Sequence, residues 1–370
     1  MGRRISNERC FWIGMERPEE FPWSNHNAFL FASGREALVV LLRSLQFKEG
    51  DAVLLPAFVP EGIIAPCQLQ KLDIHYYTID RNLDPNWSCL DDMMRVFQPK
   101  LAILIHYFGD RRDAERFVAI CHRYGALVIE DLAHAQTLKD SSLGANGDFV
   151  LYSLTKMVGV PDGAVLQIAS DSGLQLKLKR SFDPRRTIYI AMNMGHLFLN
   201  SASRYVGAEA FWCYFWKLFG HFFGSYRFLM WYYKHPKPIS FLSKLLLARF
   251  PWRSAVIKRL RHEQQYRIGL NNTVFKHLCR VEEGHCAMGY AVLVEERESL
   301  FTYLALHGIY GIWFENKWDH FPSDVIYDDA RWVMQHHFLF PTAYSLSDDE
   351  VKRVIHLANA WAMTPKVTLC

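Results

Sequence analysis

The chain has 370 residues, of which 50% are hydrophobic and 22% are charged, and its formal net charge at pH 7 is +4. This composition excludes a disordered chain, and the length predicts a sizeable core in about two domains. The mild positive charge does not by itself predict a nucleic-acid partner, because charge acts through its clustering.

An N-terminal arm, residues 1–25, precedes the first predicted elements and contains no apolar stretch long enough for a signal peptide. Strand-like and helix-like segments then alternate over 26–176. Apolar strands are predicted at 52–56, 74–80, 101–109 and 126–135, with a helical pattern at 34–47 before the first of them and another at 113–125 between the last two. This alternation predicts a large α/β domain with a mostly parallel sheet covered by helices. In such sheets, ligands bind beyond the carboxyl ends of the strands.

The next predicted region, residues 177–267, is a basic and aromatic helical insertion. It contains seventeen Lys and Arg against three acids, and its most aromatic stretch is 197–234. That stretch is compatible with a core and dimer interface, with a membrane-surface element or with nucleic-acid binding. Charged residues interrupt it too often for a spanning helix, and nothing else in the sequence suggests nucleic acid. We therefore expect no nucleic-acid partner, and we retain a homodimer interface and a membrane-peripheral surface as alternatives.

Residues 268–370 have an ordinary composition and predict a small C-terminal α/β domain. The segment 289–297 reads as a strand, 298–309 as a helix, and 347–362 as a capped amphipathic helix. Together with the arm, the large domain and the insertion, this domain completes the predicted organisation of the chain.

The cysteines predict neither a disulfide framework nor a metal site. No CxxC pair occurs, and no cysteine and histidine have metal-ligand spacing. The eight cysteines are Cys10, Cys67, Cys89, Cys121, Cys213, Cys279, Cys286 and Cys370. We expect free thiols in a reducing cytoplasm, which predicts a cytoplasmic protein.

Three short segments contain residues suited to chemistry. Ser33, Gly34 and the amide of Arg35 open a predicted helix, whose N-terminus suits a phosphate, although an ordinary helix cap has the same pattern. Asp131 ends an apolar strand, where its carboxylate needs a partner such as a pyridinium nitrogen or a backbone cap. Lys156 lies between two predicted strands; alone, such a lysine is typical of a solvated surface.

The order of these motifs resembles that of the DegT/DnrJ/EryC1/StrS family, pyridoxal-phosphate-dependent aminotransferases that act mostly on keto sugars. The motifs are Ser33-Gly34-Arg35-Glu36-Ala37-Leu38, Ile105-His106-Tyr107-Phe108-Gly109, Asp131-Leu132-Ala133-His134, Gly147-Asp148 and Tyr152-Ser153-Leu154-Thr155-Lys156. The resemblance covers about 30–170 and returns near 286–359. It implies the type I pyridoxal-phosphate fold, with a large cofactor-binding domain and a small C-terminal domain.

The resemblance also implies three catalytic residues. Lys156 would carry pyridoxal 5′-phosphate as a Schiff base and transfer a proton between the substrate and the cofactor. Asp131 would keep the pyridine nitrogen protonated, which makes the ring an electron sink. His134 would lie against the ring or its phenolic oxygen, although a satisfied core histidine fits the same position.

The phosphate-binding residues implied by the resemblance are Ser33, Ser153 and the amides of Gly34 and Arg35. Arg35 stands where the family has threonine, and its guanidinium would either pair with the phosphate or face solvent. The position of the family's ring-stacking aromatic falls near Pro60, and Phe58 is the expected substitute.

A second departure concerns the family's Gly-x-Asn-x-Arg segment, which reaches across the dimer to the neighbouring site. We find no clear match in this chain; Asn193, Asn200 and Arg204 are the nearby candidates. The resemblance still implies a homodimer.

These observations predict an aminotransferase that moves an amino group from an amino donor to a keto substrate, either a sugar or a lipid-linked compound. Other pyridoxal-phosphate chemistry at the same site, or a non-catalytic binding protein, are the alternatives. The basic aromatic region adds a peripheral position on the inner face of a membrane to the cytoplasmic location.

Overall fold

The computed structural model describes residues 5–6, 27–169, 174, 176, 184–206, 235–314 and 324–364. The strands before residue 170 are β1 (Ile5–Ser6), β2 (Ala28–Phe31), β3 (Ala52–Pro56), β4 (Asp73–Tyr77), β5 (Leu101–Ile105), β6 (Leu127–Asp131), β7 (Ala135–Thr137), β8 (Phe149–Ser153) and β9 (Ala164–Ile168). Seven of them form one sheet in the order β2-β9-β8-β6-β5-β3-β4. Neighbouring strands are parallel except at β9, which runs antiparallel to β2 and β8. The predicted mostly parallel sheet is therefore confirmed.

Five α-helices lie among these strands between residues 27 and 169. They are α1 (Gly34–Ser44), α2 (Glu61–Leu69), α3 (Trp87–Phe97), α4 (Ala114–Arg123) and the short α5 (Leu154–Met157). Of these, α1 and α4 coincide with the helical patterns predicted at 34–47 and 113–125. Local side chains set the beginning of three of them: the amide of Glu36 donates to the Ser33 hydroxyl, that of Cys89 to the Asn86 side chain, and that of Arg116 to the Asp113 carboxylate.

Three predicted strands of the large sheet are shorter than expected, and all end at the same edge of the sheet; the strand predicted over 74–80 ends at Tyr77. The strand predicted over 101–109 ends at Ile105, because Phe108 and Gly109 adopt positive φ angles of 58° and 95°. The strand predicted over 126–135 ends at Asp131, and the chain resumes as β7 after a turn. These breaks leave the side chains that follow β5 and β6 free to project beyond the sheet.

In the described part of 170–269, three helices lie between the large sheet and the C-terminal elements: α6 (Pro184–Val206), α7 (Phe241–Leu247) and α8 (Trp252–Gly269). The part of the aromatic stretch from 207 to 234 lies outside the described residues. Among the helices that the structure describes, none is both long and apolar enough to cross a bilayer. The domain boundaries predicted after 25, 176 and 267 stay predictions.

The remaining elements are β10 (Lys276–His277), β11 (His285–Ala287), β12 (Tyr290–Leu293), α9 (Arg297–Leu306), β13 (Ile309–Tyr310), α10 (Asp328–His336), β14 (His337–Phe340) and α11 (Asp348–Met363). A small antiparallel sheet has the order β10-β12-β14, and α11 begins with a capping box between Ser347 and Glu350. Strand β11 pairs with β7 and β13 pairs with β1. The pairing of β11 brings the C-terminal part of the chain directly against the loop that follows β6.

Candidate active site

The candidate site lies at the carboxyl edge of the large sheet, where the neighbouring strands β5, β6 and β8 end. Asp131 is the last residue of β6, His134 belongs to the turn before β7, and Lys156 lies in α5 directly after β8. Because the carboxyl ends of adjacent parallel strands meet at one edge, three residues from distant parts of the sequence share one cleft. All three line that cleft.

Lys156 is held by a direct contact with His134. Its Nζ atom lies 2.9 Å from Nε2 of the imidazole. Burial lowers the pKa of Lys156, and the positive charge of Arg35 acts in the same direction, whereas Asp131 opposes both. A lysine with a lowered pKa presents more of the neutral, nucleophilic amine near pH 7.

Asp131 is almost fully buried and accepts one hydrogen bond from the backbone. Its Oδ1 atom accepts from the amide of Ala133 at 2.8 Å. Burial raises the pKa of Asp131, although the charge of Lys156 and the Ala133 amide partly oppose this effect. Asp131 thus caps the turn after β6, and its carboxylate also needs a cationic partner to remain ionised in the cleft.

His134 is half-buried between Lys156 and an aromatic side chain from the C-terminal part of the chain. Its ring lies 4.9 Å from that of Phe314, with an interplanar angle of 9°. Burial, with the charge of Lys156 and the nearby His337, lowers the pKa of His134 well below its usual value. The imidazole is therefore neutral near pH 7. Its Nδ1 atom has no hydrogen-bond partner among the described residues.

The end of strand β11 is hydrogen-bonded to the turn that contains His134. The amide of Met288, just after β11, donates to the carbonyl of His134 at 2.9 Å. Gly109 makes this approach possible: a Cβ atom there would lie 2.7 Å from both the Ala287 Cα and the His134 oxygen. A side chain at 109 would thus push β11 away from the site.

Aromatic and apolar side chains form the wall of the cleft beside Asp131 and His134. They are Phe58, Pro60, Ile105, Tyr107, Phe108 and Phe314. The predicted Phe58 ring stacks on Tyr107 at 5.5 Å, and the Tyr107 hydroxyl donates to the Phe58 carbonyl. Phe314 was not predicted from the sequence, since no motif there marks it. Its amide donates to Nε2 of His337 at 2.8 Å, which fixes the segment that carries the ring.

The other end of the cleft contains the predicted phosphate-binding residues. It is lined by Ser33, Gly34, Arg35, Ser153 and Lys156, together with Thr155, Asp162 and Tyr189, which the sequence did not single out. Thr155 has a hydroxyl 3.4 Å from that of Ser153, and its position beside Lys156 in the motif was the available signal.

Two of the predicted phosphate ligands have other contacts in this structure. The Ser33 hydroxyl donates to the Glu36 carboxylate at 2.7 Å. Arg35 is about one-third exposed and lies 3.9 Å from Glu61 in an ion pair. The helix N-terminus at Gly34 nevertheless opens onto the hollow, so the backbone of α1 stays available as the element that faces a bound anion.

The candidates for the dimer-crossing segment fall in α6. The Asn193 side chain donates to the carbonyl of Pro161 of its own chain at 3.0 Å. Asn200 and Arg204 lie in the same helix, and their side chains are outside the described part of the structure.

The residues present fit pyridoxal 5′-phosphate. The two hollows share Pro60, Asp131, Ala133 and Lys156, so they form one continuous cleft. That cleft presents an amine suited to an aldehyde, a buried carboxylate suited to a pyridinium, and a helix N-terminus with hydroxyls suited to a phosphate. The buried Nδ1 atom of His134, which has no hydrogen-bond partner among the described residues, is an additional polar group that a bound ligand would satisfy. In the described residues, no cluster of His, Cys, Asp or Glu is arranged to hold a metal ion.

The sheet order and the cleft together define a protein of the type I pyridoxal-phosphate fold. Residues 23–171 match the model of the DegT/DnrJ/EryC1/StrS aminotransferase family, which confirms the predicted family for this part of the chain. The match includes all five motifs from Ser33 to Lys156.

Curated relatives share the same part of the chain. Over 164 residues, the protein is 26% identical to UDP-N-acetyl-3-dehydro-alpha-D-glucosamine 3-aminotransferase of Acidithiobacillus ferrooxidans, which covers 40% of this chain and 41% of the relative. It is 27% identical over 188 residues to dTDP-4-dehydro-2,3,6-trideoxy-D-glucose 4-aminotransferase of Saccharopolyspora spinosa, which covers 46% and 47%. The chain thus matches less than half the length of these relatives.

Solved structures extend the similarity of fold to most of the chain. DesV of S. venezuelae superposes with a TM-score of 0.67 at 15% identity, covering 93% of this chain and 87% of that one. The aminotransferase TlmJ of Streptoalloteichus hindustanus gives 0.62 at 18% identity, covering 91% and 86%. The predicted fold class is therefore confirmed.

Proposed function

We propose that this protein is a pyridoxal-phosphate-dependent aminotransferase that moves an amino group from a donor to a keto substrate. The observation that carries the proposal is the contact between Lys156 and a neutral His134 in the cleft that also contains Asp131. When bound, pyridoxal phosphate supplies an electron sink for the carbon that gains or loses the amino group.

Three side chains of the protein would have different roles in this reaction. The Nζ atom of Lys156 would take the proton from the substrate carbon and return it, because its lowered pKa keeps part of the amine neutral. The Nε2 atom of His134 would keep that amine directed into the cleft. Asp131 would stay ionised opposite the protonated ring nitrogen, since a buried carboxylate is stable as an anion only beside a positive partner.

The apolar wall would exclude water from the reacting atoms. Phe58, Phe108 and Phe314 surround the side of the cleft that holds His134 and Asp131. A dry site strengthens the attraction between a carboxylate and a cation and slows hydrolysis of reactive groups. The same wall would contact a substrate through its carbon surface.

The substrate we propose is a keto sugar, because the two relatives described above are named as aminotransferases of sugar nucleotides. A lipid-linked keto compound is the alternative that the basic aromatic region supports. Other pyridoxal-phosphate chemistry, or ligand binding without turnover, would use the same cleft. A screen of amino donors and keto acceptors, followed through the absorbance of the cofactor and run with and without membranes, separates these outcomes.

The direct test is covalent capture of the cofactor. The purified protein, incubated with pyridoxal phosphate and reduced with borohydride, should gain the mass of the reduced cofactor on the peptide that contains Lys156. The Lys156→Arg variant keeps the charge and should gain none. Labelling of other lysines at the same level as Lys156 would refute the proposed function.

We also propose a homodimer. Large apolar side chains are exposed on α6 and α7, with Phe198 61% and Phe241 81% accessible, and such residues favour burial in an interface. Sedimentation over a range of concentrations tests the dimer; a monomer that keeps full activity at nanomolar concentration would refute it.

The competing proposal for the predicted insertion, residues 177–267, is that it binds peripherally to the inner face of a membrane. Ile188, Phe198 and Phe241 are exposed, and the same region of the sequence is rich in basic residues such as Lys244 and Arg249. Interfacial helices combine exposed apolar side chains with basic ones. Flotation with anionic liposomes at low salt tests this, using as control a variant with serine at Trp212, Trp216 and Trp231, which lie outside the described residues. Wild type that stays at the bottom of the gradient assigns the region to a protein interface.

A further inference from the structure

Two carboxylates are buried beside the phosphate end of the cleft. Asp162 lines the hollow at this end, and Glu36 accepts a hydrogen bond at 2.7 Å from the hydroxyl of Ser33, another lining residue. Glu36 is 2% exposed and Asp162 is 1% exposed. A phosphate monoester carries about two negative charges near pH 7, and like charges repel strongly where water is scarce. These two acids would therefore oppose the binding of a phosphate unless a cation compensated them.

The guanidinium of Arg186, in the first turn of α6, contacts both acids. It donates to both oxygens of Glu36, at 2.7 and 3.2 Å, and its Nη2 atom lies 3.8 Å from an oxygen of Asp162. Burial raises the pKa of Glu36, and the charge of Arg186 is the strongest influence that opposes this rise. A fork-shaped pair also fixes distance and orientation, so the compensating charge has a defined position between the two acids.

A second part of the chain is hydrogen-bonded to the same two acids. The amide of Lys237 donates to Glu36 at 3.1 Å, and the hydroxyl of Ser240, which caps α7, donates to Asp162 at 2.6 Å. Arg186 precedes the segment 187–236, whereas Lys237 and Ser240 follow it. Glu36 and Asp162 thus attach both ends of this segment to the elements that form the cleft. This attachment gives the acids a structural use beside the phosphate end, and it leaves their charge to be compensated there.

We propose that Arg186 acts on the phosphate site through Glu36 and Asp162, as a positioning residue that neutralises both acids so that the hollow binds a phosphate. The lining of the hollow includes Asp162 but not Arg186, so the arginine works through the acids rather than as a ligand of the anion. The inference rests on the proposed function insofar as the ligand is pyridoxal phosphate, whereas the argument from charge applies to any phosphate.

The test compares the affinities for pyridoxal phosphate and for pyridoxal, which lacks the phosphate, in wild type and in Arg186→Gln. With the acids uncompensated, we expect the affinity for pyridoxal phosphate to fall at least about tenfold. The affinity for pyridoxal should change much less, because pyridoxal carries no phosphate charge. Arg43→Gln, at an exposed position of α1, is the matched control and should alter neither affinity.

Two further variants separate the charge of Arg186 from its support of α6. Arg186→Lys keeps the charge but loses the fork, and it should retain most of the affinity for pyridoxal phosphate. The double variant Glu36→Gln/Arg186→Gln removes one acid together with the cation, and it should recover most of the affinity as well. Both expectations hold even if Arg186→Gln does not fold, so these two variants then decide the question.

Three results would overturn the inference. The first is an unchanged affinity of Arg186→Gln for pyridoxal phosphate, and the second is an equal loss for pyridoxal phosphate and pyridoxal. The third is weak binding of pyridoxal phosphate by Arg186→Lys and by the double variant, which would mean that the geometry of the ion pair matters and its charge does not.

Binding of inorganic phosphate, followed by phosphorus NMR, separates this inference from the proposed function. If wild type forms no borohydride-stable adduct with pyridoxal phosphate but binds inorganic phosphate more tightly than Arg186→Gln does, the proposed function fails and the role of Arg186 is supported. Equal binding of inorganic phosphate by the two proteins, or none by either, would overturn the role of Arg186.

Discussion

Nζ of Lys156 lies 2.9 Å from Nε2 of His134, although Lys156 follows β8 and His134 follows β6. The two residues are 22 positions apart, and each is carried by the carboxyl end of a different strand. The neighbouring, parallel arrangement of β6 and β8 is what brings them together. The contact pairs a lysine of lowered pKa with an imidazole that burial keeps neutral.

Replacing Lys156 should remove turnover without unfolding the protein. In Lys156→Ala, we expect kcat to fall by at least about a thousandfold, because both covalent attachment and proton transfer use this amine. Stability should not fall, since the substitution removes a buried amine whose burial is unfavourable. Lys276→Ala, at an exposed position of β10, is the control. Single-turnover rates equal to wild type would contradict the assignment.

The Asp131→Asn substitution removes the negative charge of the side chain but keeps its role as the cap of the turn after β6. Asparagine keeps an oxygen that can accept from the Ala133 amide, so the turn after β6 should survive. The ring nitrogen would lose its anionic partner, and we expect the chemical step to slow by about two orders of magnitude or more, with a smaller effect on cofactor affinity. Pre-steady-state kinetics and equilibrium titration measure the two effects. Unchanged turnover would leave Asp131 with the role of a cap alone.

Arg259 of α8 should act as a positioning residue. Its guanidinium donates to the carbonyl of Met157, next to Lys156, at 3.2 Å and to that of Met288 at 3.4 Å. The Met288 amide in turn donates to the His134 carbonyl. In Arg259→Met, we expect kcat to fall about tenfold or more because Lys156 and His134 lose their common support.

Three observations distinguish this role from general destabilisation. Arg259→Lys should recover part of the activity, and the pH dependence of kcat should shift in both variants as the Lys156 contact changes. Arg261→Met removes an arginine that is 67% exposed on the same helix, and it should behave as wild type. A loss of thermal stability with an unchanged pH profile would argue against positioning.

His337 should make the protein sensitive to acid. Burial lowers the pKa of His337 to about 4, and its two nitrogens contact the Val333 carbonyl and the Phe314 amide. The unfolded chain binds this proton near pH 6.5, so stability is fully present above that value and is lost as the pH falls from 6.5 towards 4. The loss expected from this residue is about 3 kcal/mol.

Denaturant unfolding of His337→Gln at several pH values tests this sensitivity. The variant should be less stable at pH 7 but should lose less stability than wild type between pH 6.5 and 4. Because burial also lowers the pKa of His285 to about 4, only the difference between the two proteins is informative. His356→Gln, on the exposed side of α11, should show no difference. Parallel curves for wild type and His337→Gln would contradict the prediction.

Glu263 should have the opposite effect in alkaline solution. Burial raises the pKa of Glu263 to about 8, and its Oε1 atom accepts from the Ala287 amide at 2.7 Å. The folded protein thus holds a proton that the unfolded chain releases near pH 4.5, so stability declines as the pH rises from 4.5 through 8.

The substitution Glu263→Gln keeps the acceptor and removes the titration. We expect the variant to exceed wild type in stability at pH 9 by about 2–4 kcal/mol, with the difference disappearing towards pH 4.5. Urea unfolding across this range measures it, and Glu295→Gln at an exposed position is the control. A variant less stable than wild type at pH 9 would show that the ionised carboxylate is required.

The sheet, the family resemblance of residues 23–171 and the order of the central site residues could all be predicted from the sequence. Apolar strands, helix caps and the segments around Gly34, Asp131 and Lys156 are local features, so they can be read without knowing which parts of the chain meet. The carboxyl-end rule for parallel strands then placed Asp131 and Lys156 at one edge of the sheet. The cytoplasmic and membrane-peripheral locations stay predictions.

The long-range contacts around Asp131, His134 and Lys156 could not be predicted from the sequence. Phe314 stacks on His134 from 180 positions further along the chain, and Arg186 pairs with Glu36 across 150 positions. No local pattern marks such partners, because the free energy of each contact depends on burial and geometry that exist only after the chain has folded. The same reason explains the Ser33 hydroxyl: its sequence position suits a phosphate, and it donates its hydrogen bond to the buried carboxylate of Glu36 instead.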